Sequence, residues 1–214
     1  MKSLFFDVET TGLDPRRCAI IQFAGIIDID GAVAADIELK IRPFAAAQLD
    51  KSALDLLGIE PPIFETKEYV DEVQAYSTIS SWFSRFVNKF DPHDKLIPVA
   101  YNGGFDMDFV TELWNRHGDK YLGSYVDRAR LVDPLRVVAW RLYATEPGLI
   151  AGSDIAPQLV NLKLTTVCKA FGIPVEGAHD AMSDVRMLRA LTYVLKGDRP
   201  KPISDAQVKA PESE

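Results

Sequence analysis

The chain has 214 residues, 47% apolar and 26% charged, which suits one folded domain with a tail and excludes a disordered or collagen-like chain. Its 24 Lys and Arg against 31 Asp and Glu give a net charge of −7. That speaks against a protein holding nucleic acid by a basic footprint alone, but not against an enzyme whose metal ions supply the positive charge.

No apolar stretch is long enough to span a bilayer. The segment from Met1 to Asp7 turns acidic before a signal-peptide core can develop. The expectation is a cytoplasmic chain with no membrane partner. Cys18 and Cys168 sit in apolar surroundings and read as buried, reduced thiols.

In chain order, Leu4 to Glu9 is short, apolar and β-prone, and Thr10-Thr11-Gly12 ends it. Ala19 to Ile29 is a second apolar run, and Asp30-Gly31 after it is a hairpin signal. Val33 to Arg42 reads as a third strand, closed by Pro43, so the three strands predict an antiparallel meander. Ser52 to Leu57 predicts a short helix ended by Gly58, and Glu60-Pro61-Pro62 a loop. From Val70 onward, Val73, Tyr76, Ile79, Phe83, Phe86, Val87 and Phe90 recur mostly at spacings of three and four, which predicts an amphipathic helix.

Leu96 to Tyr101 predicts a fourth strand and Asp106 to Arg116 a helix ended by His117-Gly118. Arg130 to Asp133 reads as a fifth strand, followed by a helix from Pro134 to about Tyr143. Ala144 to Gln158 has no clear period; so long an irregular segment is commonly functional. Leu164 to Phe171 and Ala181 to Leu195 predict the last two helices. The expected organisation is a domain over residues 1–196 and a polar, proline-containing tail over 197–214. Meander strands followed by alternating helices and strands give an α/β class with a mixed sheet.

Three short patterns carry chemistry. In Asp7-Val8-Glu9, residues i and i+2 of a strand share a face, so two carboxylates project together. Their repulsion is relieved by a cation, and carboxylate oxygens are preferred ligands of Mg²⁺ and Mn²⁺. A second D-x-E, Asp36-Ile37-Glu38, reads as the solvated side of the third strand. In Tyr101-Asn102-Gly103-Gly104-Phe105-Asp106 a strand ends, glycines turn the chain, and an acid opens a helix. Those glycines permit close approach of a ligand to the backbone, and Asp108 reads as an ordinary first-turn acid. In Ala178-His179-Asp180-Ala181-Met182-Ser183-Asp184, Asp180 reads as a helix N-cap. His179 precedes the helix, and Asp184 lies one turn into it beside an apolar face.

The order and separation of these patterns resemble the DEDD superfamily of 3′–5′ exonucleases, in its histidine-bearing subgroup, from about Leu4 to Leu195. Phe6 to Leu13 is similar to the first motif of replicative proofreading subunits, and Ala178 to Val185 to the third motif of exonuclease I catalytic domains. Ile20 to Ala24 and Leu131 to Leu135 fit family positions as well.

The resemblance implies a ribonuclease-H-like exonuclease fold, a mixed five-stranded sheet flanked by helices. It implies two divalent cations, Mg²⁺ or Mn²⁺, held by Asp7, Glu9, Asp106 and Asp184. His179 then takes a proton from the attacking water, completing a catalytic set of those four acids and the histidine. Thr10, Gly12 and Leu13 would meet the terminal nucleotide. Asn102 joins that substrate-binding set, although it reads better as ordering the Asp106 turn than as a metal ligand.

The activity so implied is removal of 5′-mononucleotides from the 3′ ends of single-stranded DNA, with replication or repair proteins as further partners. The alternatives are an exoribonuclease resembling ribonuclease T or oligoribonuclease, and a non-catalytic nucleic-acid-binding scaffold.

Overall fold

The computed structural model describes residues 1–144, 161–175, 177 and 180–197. The segment 145–160, His179 and the tail from 198 onward lie outside them. The meander is β1 (Lys2–Thr10), β2 (Ile20–Ile29) and β3 (Ala32–Ile41), antiparallel throughout. Asp30 and Gly31, both with positive φ (51° and 86°), make the β2–β3 turn, which only residues tolerant of the left-handed region form cheaply. Helix α1 (Lys51–Leu57) is opened by Asp50, whose side chain accepts from Ser52 N, and closed by left-handed Gly58.

The five-stranded sheet has the order β4-β3-β2-β1-β5, and three expectations need correction. The fifth strand is not Arg130–Asp133. It is the pair Tyr69–Val70, β4, which runs parallel to the end of β3. Val132 makes only a single parallel bridge to Val99, because a tight 3-10 turn at Arg128–Arg130 precedes it and a helix begins at Pro134.

The long helix is also shorter than its apolar spacing suggests. α2 spans Glu72–Ser84, opened by Asp71 accepting from Gln74 N. Val87 remains in the core while Phe90 is exposed, so the spacing past Ser84 reports burial in a turn rather than more helix. Pro61–Glu65 forms a 3-10 turn rather than an open loop.

β5 (Ile97–Val99) is parallel to β1. Then come α3 (Gly104–Arg116), α4 (Pro134–Ala144), α5 (Leu164–Ala170) and α6 (Ala181–Lys196).

Alternation along β1 sorts the two faces of the sheet. Leu4, Phe6 and Val8 pack with Ile79 and Phe83 of α2 and Met107, Phe109 and Leu113 of α3. Phe5, one residue out of phase, packs with Ala181, Met182, Val185 and Leu188 of α6. Asp7 and Glu9 share the Phe5 side, so the fold delivers both carboxylates to the face that α6 covers. The two cysteines are buried and unbridged. Among the described residues, no helix is long and apolar enough to cross a membrane.

Candidate active site

Asp7 and Glu9 stand at the C-terminal end of β1, an interior strand between β2 and β5, opposite Ala24 and Gln22 of β2. The β1–β2 register shifts just after Glu9; such a bulge bends the strand end and re-aims its side chains. Asp184 reaches the pair from the first turn of α6. The entry of that helix is fixed by Asp180, whose carboxylate accepts from Ser183 N (3.1 Å) and Ser183 Oγ (2.9 Å). Gln22 Nε2 ties the cap to the sheet by donating to Asp180 Oδ1 (3.1 Å) and to Glu38 Oε1 (2.8 Å). The result is a cluster in which one carboxylate oxygen each from Asp7, Glu9 and Asp184 lies within 4.8 Å of the others.

Asp106 approaches from the β5 side. β5 pairs with β1 only as far as Phe5 opposite Val99. Where that ladder stops, α3 enters and Asp106 Oδ1 accepts the Val8 N–H (3.1 Å). A buried backbone donor left by a short strand is thereby satisfied, and the fourth acid is locked beside the other two on β1.

Burial pushes the Asp7 carboxyl well above its ordinary range, and the charges of Asp106, Glu9 and Asp184 push it the same way. Burial, then Asp184 and Asp106, raise Glu9 to about 7. Burial raises Asp106 to about 7 despite the opposing hydrogen bond from Val8. Asp180 is held low: its bonds from Gln22 and Ser183 outweigh the opposing effect of burial.

The donor set consists of carboxylate oxygens converging in a partly buried place where like charges oppose one another. Such a set fits a hard divalent cation of the Mg²⁺ or Mn²⁺ kind and offers no soft ligand.

The expected substrate residues are distributed unevenly. Leu13 projects into solvent at 81% exposure. Thr10 is buried and its hydroxyl donates to Gly12 O (2.7 Å). Glycine at position 12 has a packing cause within the chain: a Cβ there would come within 2.7 Å of Cys18 Sγ and 3.2 Å of Asp50 Cβ. Gly103 is likewise pressed against Ala100, 2.7 Å from a hypothetical Cβ. Packing is thus a sufficient reason for glycine at positions 12 and 103, whereas a Cβ at Gly104 would meet nothing within 4 Å, so space beside the backbone remains there.

Asn102 has φ 58°, and its carbonyl accepts the Phe105 N–H (3.1 Å) at the turn into α3. Asp108 pairs with Arg128 (2.5 Å). His179 lies outside the described residues.

Gln22, Asp28 and Asp133 had no individual role assigned from sequence. Gln22 and Asp28 are the polar interruptions of an otherwise apolar strand, and that interruption is the signal that could have marked them. Asp133 Oδ1 accepts from Asn102 N and Leu135 N (both 3.0 Å), and its charge also raises Asp106.

Fold and acid cluster together define an α/β nuclease architecture of the ribonuclease-H-like exonuclease type. The chain belongs to the exonuclease family: a family model of that description matches residues 4–192. Its relatives include ribonuclease T of Marinobacter nauticus, 31% identical over 185 residues (83% of this chain, 74% of the relative). Ribonuclease T of Shewanella frigidimarina is 29% identical over 187 residues (83% and 74%).

Among solved structures, a zinc-bound complex of E. coli exonuclease I with single-stranded DNA aligns with a TM-score of 0.73 at 25% identity, covering 92% of this chain and 40% of that one. The same enzyme with a dT13 oligonucleotide gives 0.72 at 25% identity, covering 91% and 41%. The chain thus spans about two-fifths of exonuclease I. Exonucleases of the DEDD superfamily use divalent metal ions.

Proposed function

We propose that this exonuclease removes 5′-mononucleotides from the 3′ ends of single-stranded DNA, with Asp7, Glu9, Asp106 and Asp184 holding two divalent cations, Mg²⁺ or Mn²⁺. The observation that carries the reading is the convergence of Asp7, Glu9 and Asp184 oxygens within 4.8 Å, with Asp106 bonded to the strand between the first two. When bound, such a cation pair lowers the pKa of an attacking water and stabilises charge on the leaving 3′-oxygen.

The chain's own residues do the rest. Asp7, Glu9 and Asp184 fix the position at which the terminal phosphate is presented. Asp106 holds the end of β1 in place through the Val8 N–H. His179, with an unperturbed pKa near 6.5, takes the proton of the attacking water. Leu13 meets the terminal base, while Thr10 and Gly12 shape the turn that presents it and Asn102 sets the entry of α3.

A cytoplasmic location and replication or repair proteins as partners accompany this reading. RNA ends are the second reading, favoured by relatives named ribonuclease T; contacts at the sugar 2′ position decide between the two. Matched 5′-labelled DNA and RNA single strands with Mg²⁺ test both. Stepwise shortening of the DNA strand is expected. Faster shortening of RNA moves the assignment to an exoribonuclease, and no shortening of either refutes the enzymatic reading.

A further inference from the structure

α4 starts beside the acid cluster, directly after Asp133, whose carboxylate faces the turn that carries Asp106. Its inner side is apolar: Val138 is buried among Val167, Cys168, Met187 and Leu191, with Leu142 packed on the same cluster. Arg141 in its last turn donates to Leu195 O (2.7 Å), near the end of α6. α6 also starts at the cluster, with Asp184. The two helices therefore run side by side away from the site, and α4 is about 16 Å long.

The outer side of α4 is unlike an ordinary solvated helix face. Arg136, Trp140 and Tyr143 fall at i, i+4 and i+7, one stripe of an α-helix. Trp140 is 65% and Tyr143 84% exposed, with ring centroids 5.9 Å apart. The Arg136 side chain is also mostly in solvent, with Nε 3.6 Å from Asp133 Oδ2 in a loose ion pair that leaves the rest of the guanidinium exposed. In a chain of net charge −7, α4 carries two arginines and no acid. Single exposed apolar residues are normal. Two large aromatic rings in line with a cation, on a helix leading out of a nuclease site, match the chemistry of bases and phosphates.

We propose that Arg136, Trp140 and Tyr143 form a platform for single-stranded nucleic acid, on which bases several nucleotides from the 3′ terminus stack while Arg136 meets a phosphate. The proposal rests on the exonuclease reading for the direction of the strand. Stacking on aromatic rings is tolerant of sequence and of sugar type, so the platform sets how long a substrate is preferred rather than which base is removed.

The test pairs kinetics with direct binding, using the full chain. For the double variant Trp140→Ala/Tyr143→Ala, the ratio of kcat/KM on dT12 to that on the dinucleotide d(TpT) is expected to fall roughly tenfold or more for each base unstacked. Arg136→Gln should lower the same ratio less and weaken its salt dependence.

Binding is read without turnover, in EDTA, from intrinsic fluorescence. Of the three tryptophans, Trp82 and Trp114 are buried and Trp140 is exposed, so quenching by dT12 reports on Trp140. An unchanged kinetic ratio, or no quenching up to saturating dT12, overturns the platform. So does a dimer of the parent chain that the double variant splits, because the face then packs against a second copy. If the parent chain cleaves neither substrate, the exonuclease reading fails, and the fluorescence titration still decides the platform.

Discussion

Two clusters of charge share α6 and one face of the same sheet, and they are built in opposite ways. One turn or more past Asp184, Arg189 donates from Nε to Asp28 Oδ2 (2.8 Å) and forms a buried ion pair with it (2.7 Å). Tyr193 Oη donates to the same oxygen (3.1 Å), and Gly31 N donates to Oδ1 (2.8 Å). Opposite charges and donors close that cluster within the protein. At the other end of the helix, every charge that acts on Asp7 and Glu9 among the described residues is another carboxylate. Burying unbalanced like charge is costly. The first cluster is explained by folding alone; the second makes sense when a cation completes it.

Removing an acid should break this contrast most strongly. Asp7→Ala, Asp106→Ala and Asp184→Ala are each expected to leave a folded chain with turnover reduced by a hundred- to a thousandfold or more, measured on a 5′-labelled single strand. Without metal, melting of Asp7→Ala and Asp184→Ala should stay level or rise, since a like charge has gone, whereas Asp106→Ala also leaves the buried Val8 N–H without its acceptor, which offsets that gain. A variant that turns over normally has no part in the site.

His179→Ala sharpens the division between holding metal and moving a proton. Turnover should fall roughly a hundred- to ten-thousandfold, with the acidic limb of the rate–pH profile flattened and Mn²⁺ affinity retained. An unchanged profile in a well-folded variant assigns proton removal elsewhere.

The closed cluster should behave in the reverse manner. Arg189→Met leaves Asp28 buried without its cation and is expected to cost about 3–5 kcal/mol of stability, read from denaturant unfolding. The rate per folded molecule should stay near that of the parent chain. A normal melting point would show that the pair contributes little.

A further expected effect is one of pH. An acid whose folded pKa is raised is harder to ionise in the folded state, so ionisation lowers stability. For Glu9, raised from 4.5 to about 7, and Asp106, raised from 3.8 to about 7, that penalty is absent below about pH 4. It grows as pH rises and is complete above about 7. In EDTA the melting point should therefore fall between pH 5 and pH 7.5, and Mn²⁺ should restore it. A melting point that rises over that interval contradicts the raised values.

Much of the acid cluster was legible because its geometry is local. Strand alternation placed Asp7 and Glu9 together, and the capping pattern at Asp180 placed Asp184 one turn inside α6. The meander followed from turn residues and β-prone runs. What was not legible depends on contacts distant in sequence. Nothing near Asp106 announces that it takes the Val8 N–H, 98 residues away, because that bond exists only where β5 stops short. β4, at two residues, is too short to show alternation, while Arg130–Asp133 has strand-like residues but room for a single bridge. The platform on α4 was hidden for another reason. Helical spacing predicts that two faces exist, and only packing reveals that Val138 lies on the inner one and Trp140 on the outer.

Counting bound Mn²⁺ tests the central claim most directly. Calorimetric titration of the metal-free chain at pH 7.5, alongside Asp7→Ala, should show about two ions bound by the parent chain with release of protons from the raised carboxyls. The variant should lose at least one of the two sites. Absence of Mn²⁺ binding by the parent chain, or equal binding by both proteins, would contradict the assignment of the acid cluster as a metal centre.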